Sequence, residues 1–167
     1  MTNIVNILVK NELFSDSNLR NHSPKIPVFD LYFCKIMIKN EYPESELTGK
    51  IIGCAMEVHR ILGNGFQEVV YQRSLELEMA AQGLSFAREQ EMPVLYKNTQ
   101  VSTRRVDFFV EGKILVELKA IIRLEDVHLA QAINYLEAFD MELGLLINFG
   151  APSLQFRRLM RSSKKRT

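Results

Sequence analysis

A chain of 167 residues that is 47% hydrophobic and 25% charged can bury one core without disulfides or metal staples, so a single globular domain is expected. Only two cysteines, Cys34 and Cys54, are present, and the start lacks a charged, apolar and small-residue leader pattern, which points to a reducing, cytoplasmic setting. The longest strongly apolar run, residues 28–38, is interrupted by Asp30 and Lys35 and falls short of the ~20 residues that cross a bilayer, so no membrane partner is expected.

Residues 1–43 scatter Asn and Ser without a sustained period and read as an N-terminal extension, with Met37 as an alternative start. From 46 to 62, Leu47, Ile51, Ala55, Val58 and Leu62 recur at helical spacing, and Gly63-Asn64-Gly65 stops the helix. A second helix is predicted over 66–83, with Val70, Leu77 and Ala81 on one face and Gly83 as its stop. Between 85 and 120 the period shortens to alternation rich in Val, Phe and Tyr, broken at Asn98-Thr99 and Glu111-Gly112, which predicts three or four antiparallel strands. A helix returns at 124–139. The apolar run 142–150 then fits a buried strand, parallel to a neighbour because a helix precedes it.

The net charge of +1 conceals an asymmetry: Arg157, Arg158, Arg161, Lys164, Lys165 and Arg166 all fall in the last eleven residues, leaving 15 basic against 20 acidic residues elsewhere. The terminal run, with 161–167 as a basic tail, either touches phosphates or is a solvated end that aids solubility. The fold class expected is α/β, a single domain over 44–160 with a mixed, mainly antiparallel central sheet flanked by helices.

The stretch 104–120, RRVDFFVEGKILVELKA, places charges where a structural strand prefers apolar residues. Alternation puts Leu115, Glu117 and Lys119 on one face, opposite Ile114, Val116, Leu118 and Ala120. Asp107 joins Glu117 if the 111–113 loop has three residues; a two-residue loop sets it opposite Val116 instead. Two facing carboxylates repel, and a hard divalent cation such as Mg²⁺ relieves this by binding oxygen. With a lysine two residues on to orient water or stabilise developing charge, the set suits phosphodiester hydrolysis. The plain alternative is an exposed ion pair on a strand face, which contributes little.

These residues resemble the Asp…Glu-x-Lys signature of the PD-(D/E)XK nuclease superfamily, with Asp107 as first acid and Glu117-Leu118-Lys119 as the second acid, spacer and lysine. Val106 stands where that signature has proline. GFQEVVY at 65–71 resembles the Gly-x-x-Glu-x-x-Tyr motif of the GxxExxY family within that superfamily, and IIGCAMEVHRILGNG, VEGKILVELKA and LGLLINFG are similar to it as well, so the resemblance covers about residues 46–160. It implies a restriction-endonuclease-like core and a Mg²⁺- or Mn²⁺-dependent nuclease, with DNA expected above RNA. It also implies metal ligands at Asp107, Glu117, Glu68 and the Leu118 backbone carbonyl. Tyr71 shares a helix face with Glu68, and Gln131 with Tyr135 resembles a Gln-x-x-x-Tyr element that borders the site and the nucleic acid.

His59, in EVHR, is a further candidate for the cleft, and His128 a weaker one; a helical histidine is more often hydrogen-bonded structure. No zinc-ligand spacing, Gly-rich phosphate loop, Gly-x-Ser-x-Gly elbow or dinucleotide fingerprint is present. The competing expectation is a non-cleaving nucleic-acid-binding or protein-interaction domain that keeps the fold. Homo-oligomerisation is left open.

Overall fold

The computed structural model describes residues 42–161; the expectations about residues 1–36, Met37 and the tail after Arg161 lie outside that range. In chain order it contains α1 (Ser45–Leu62), α2 (Glu68–Ala81), β1 (Phe86–Tyr96), β2 (Thr99–Val110), β3 (Ile114–Lys119), α3 (Asp126–Ala138), β4 (Leu143–Asn148) and β5 (Gln155–Met160). The strands form one sheet in the order β1-β2-β3-β4-β5, antiparallel except for β3 beside β4. A helix between β3 and β4 supplies the crossover that a parallel pair requires.

Each helix has a local cause. α1 buries Ile51, Ala55 and Val58, one stripe at helical spacing, and ends at Gly63, whose φ of 67° lies in the left-handed region where glycine carries no Cβ penalty. α3 opens with a capping box: the Glu125 side chain takes the His128 backbone N–H, and the Glu125 N–H donates to His128 Nδ1 at 3.0 Å. A backbone N–H can only donate, so Nδ1 is the unprotonated nitrogen, and His128 is a helix-start residue.

The sheet is coated on both faces. α1 and α2 cover Phe108, Val110, Ile114, Val116, Leu118, Leu145 and Ile147, while α3 covers Val106, Leu115, Leu146 and Leu159 through Ala132 and Leu136. Beyond Phe108, β2 has no third-strand partner, because its pairing with β3 comprises only Phe108↔Val116, Phe109↔Leu115 and Val110↔Ile114. The strands therefore part at Asp107.

Three expectations need correction. Leu77 is 72% exposed; α2 buries Tyr71, Gln72, Leu75 and Met79, because burial of the phenol and the amide sets the inward face nearly half a turn from the Val70–Leu77 stripe. The first hairpin turns on Lys97-Asn98, both at positive φ (47° and 66°) as a two-residue primed turn demands, one residue before the predicted break. Finally, Arg157 and Arg158 are part of strand β5 and half-buried rather than members of a solvated tail. Arg158 donates to Thr48 Oγ1 at 3.0 Å and lies over the Tyr42 and Phe156 rings, contacts that let a cation sit at a sheet edge.

Candidate active site

The loop joining β2 to β3 has three residues, Glu111, Gly112 and Lys113, with Glu111 (φ 51°) and Gly112 (φ 65°) both left-handed and the Lys113 N–H bonded to the Val110 carbonyl. That count sets the register in which Asp107 continues the ladder opposite Glu117. Where the backbones separate, the Asp107 side chain bridges them: Oδ2 accepts the Leu118 N–H at 2.8 Å, and Oδ1 accepts Gln72 Nε2 from α2 at 2.8 Å.

Glu117 is less well served. Lys119 Nζ stands 3.6 Å from its Oε1, with both side chains mostly buried, and Oε2 is buried with no hydrogen-bond partner. Loss of solvent, the neighbouring Asp107 charge and Glu68 push its pKa up to about 7, although Lys119 and the Asp107 N–H pull the other way. Burial also holds Asp107 above its ordinary value, against the opposing bonds from Leu118 and Gln72 and the Lys119 charge. Glu89, which acts on Asp107 as a like charge, sits on β1 at φ 53°, a local departure from extended backbone.

Glu68 occupies the first turn of α2. Burial raises its pKa, Lys119 lowers it, Asp107 raises it and the Ala120 N–H lowers it, which places this carboxylate against the end of β3. The Gly65-x-x-Glu68-x-x-Tyr71 spacing acquires a structural reason here. Gly65 takes φ 105°, which L side chains rarely adopt; the Tyr71 hydroxyl donates to the Gly63 carbonyl at 3.0 Å and accepts the Phe66 N–H at 3.1 Å. The phenol thus fixes the loop that aims Glu68.

Tyr71 has no exposed surface and stacks on Phe149 with ring centroids 4.7 Å apart, a setting that suits holding the loop. His59 likewise serves packing: Nε2 lies 3.1 Å from the Ala151 carbonyl oxygen and the ring stacks beside Phe149. On α3, Gln131 Nε2 donates to the Tyr135 hydroxyl at 3.0 Å. Tyr135 and Glu117 together line a cavity of about 10 Å³ under the helix, space for about one water molecule. Sequence reasoning missed Gln72, whose only signal was an amide four residues after Glu68, and Glu89, whose signal lies in backbone conformation.

A divalent cation would find suitable donors here. The donors are hard carboxylate oxygens and the orphaned Oε2 lacks what a cation would provide, so the pair Asp107 and Glu117 fits such an ion. Among the described residues, however, no three His, Cys, Asp or Glu side chains converge as a ready-made cage.

A family model described as the PD-(D/E)XK nuclease superfamily matches residues 45–159. The chain belongs to that superfamily. The five-stranded mixed sheet with helices on both faces accords with the restriction-endonuclease-like fold of this superfamily, whose nucleases generally use divalent metals. A solved structure titled "Crystal structure of SSO0001" is similar at 18% identity and a TM-score of 0.47, over 87% of this chain and 72% of that one. No curated protein matches. Among the described residues of this superfamily member, no helix is long and apolar enough to cross a membrane.

Proposed function

We propose that the protein is a Mg²⁺- or Mn²⁺-dependent nuclease of the GxxExxY type that hydrolyses phosphodiester bonds, with DNA favoured over RNA, in the cytoplasm. The observation that carries this reading is the Glu117 carboxylate, buried beside Asp107 and Lys119 with one oxygen unsatisfied. A buried charge without a partner is costly, and such groups concentrate where they are used. The Gly65, Glu68 and Tyr71 geometry supports the GxxExxY assignment.

In this reading Asp107, Glu117 and the Leu118 backbone carbonyl hold the cation, with Glu68 close enough to contribute when a ligand changes the local charge. The cation, when bound, activates water and neutralises phosphate charge. Lys119 orients the attacking water and stabilises the charge that develops on the phosphate; its side chain is mostly buried, so its charge acts in a low dielectric. Gln72 holds Asp107 in place. Tyr135, braced by Gln131, closes the α3 side of the site.

Cleavage of labelled single- and double-stranded DNA and RNA, with Mg²⁺ or Mn²⁺ and then with chelator, tests the reading. Metal-dependent cutting that Asp107→Asn abolishes is expected. Binding without cutting under every metal condition would favour a non-cleaving domain, the reading to which the lack of a ready three-ligand cage points.

A further inference from the structure

The segment after β3, residues 120–125, leads from the Lys119 end of the site into α3. It is anchored at several points. The Lys119 carbonyl accepts the Phe149 N–H at 2.8 Å, and the Ala120 N–H lies near enough to the Glu68 carboxylate to lower its pKa. Asn148, which has no exposed surface, has all four of its amide bonding positions filled. Its Oδ1 accepts the N–H groups of Ile121 (3.0 Å) and Gly150 (3.1 Å), and its Nδ2 donates to the Ile121 carbonyl (2.9 Å) and to Gln155 Oε1 (3.1 Å). The same Gln155 oxygen takes the Leu124 N–H at 3.2 Å. Gly150 is required by contact alone: a Cβ there would meet Ile121 N at 2.3 Å and Ala120 C at 2.5 Å.

Two residues project from between these anchors. Ile122 is 86% exposed, and the Arg123 side chain is 76% exposed in a long 3.9 Å pair with Glu125. A single exposed isoleucine on a mobile loop needs no explanation. Here Asn148 and Gly150 fix the backbone before it at Ile121, and Gln155 fixes it after it at Leu124, so the apolar side chain is held in water at little further entropic cost on contact. On the other side of the Glu68–Ala120 contact, Phe66 and Val69 flank Glu68 and are 49% and 44% exposed. Exposed apolar side chains thus follow Lys119 and flank Glu68 along the chain.

We propose that Ile122 is a wedge that enters the base stack of a duplex nucleic acid lying across the carboxylates, with Arg123 on the adjoining phosphate. The proposal rests on the nucleic-acid reading given above. Apolar side chains inserted at a base step unstack it, and a phosphate drawn toward Lys119 leaves the neighbouring bases facing Ile122. The occupant follows from continuity: Ile122 lies three residues from Lys119, and a cation stands beside it.

The test uses the full chain carrying Asp107→Asn, so that the substrate stays whole while Lys119 is kept, and duplex DNA and RNA with 2-aminopurine placed in turn at each position. Fluorescence is expected to rise on binding at one step of the duplex. Ile122→Ser is expected to abolish that rise and weaken binding about tenfold, the worth of one buried aliphatic side chain. Ile122→Met keeps both, and the exposure of the position means that all variants fold. Binding with no fluorescence rise, or a rise undiminished in Ile122→Ser, overturns the wedge while leaving the nuclease reading intact. Failure of the unsubstituted chain to bind or cut any nucleic acid overturns both.

Discussion

Two polar groups lie on adjacent strands of the same sheet, two residue pairs apart in register, and they are treated oppositely. Asn148, paired across the parallel ladder with Lys119, has every donor and acceptor matched. Glu117, paired with Leu146, keeps an oxygen buried and unmatched. A satisfied amide rigidifies its surroundings, whereas an unsatisfied carboxylate destabilises its own fold and waits for a counter-charge. The difference separates scaffold from proposed reactive group within one layer of side chains.

The comparison breaks most visibly in rates. Lys119→Ala is expected to lower single-turnover cleavage on the order of 10² to 10³, about 3 to 4 kcal/mol, and Glu117→Gln, which forfeits the metal, to lower it further, both without loss of folding. Rapid-quench measurement at saturating metal, with circular dichroism as the control, checks this.

The pH dependence of stability comes next. Glu117 ionises near 4.5 when unfolded and near 7 when folded, so between these values the folded state holds the extra proton and stability falls as pH rises. The full penalty, about 3 kcal/mol, is present above pH 7 without metal. Glu117→Gln should flatten the melting profile across that window; an unchanged slope would place the titration elsewhere.

Asn148→Ala should act in the opposite compartment, lowering stability by about 2 to 3 kcal/mol in denaturant titrations because it leaves several buried backbone groups unpaired. Gln72→Ala is a smaller change: Asp107 loses one orienting bond, and metal affinity falls about tenfold with the fold retained. Smallest of all, Leu77→Lys on the exposed face of α2 should shift stability by no more than about 0.5 kcal/mol.

Much of the fold and the central trio was legible because alternation is a strict code. In β3 the charges at 117 and 119 share a face, and a three-residue loop then leaves one register for Asp107. The parallel β4 was readable from its apolar run after a helix. Other features depend on tertiary context. β5 hides behind Arg157-Arg158, whose burial rests on partners far along the chain, such as Thr48. The inward face of α2 was obscured because Tyr71 and Gln72 are buried for their hydrogen bonds, which hydropathy does not count. His59 and Tyr71 had suitable chemistry, but both meet the backbone of neighbouring loops. Nothing local in the sequence distinguishes an amide that holds a carboxylate from one that faces water.

The central claim is that the carboxylate pair is short of a cation. Calorimetric titration of Mg²⁺ and Mn²⁺ into the chain at pH 8, where Glu117 is ionised, measures this directly. The account predicts binding in the micromolar to millimolar range of a few-carboxylate site, weakened by Asp107→Asn and lost in Glu117→Gln. Binding of equal strength in all three proteins would contradict it.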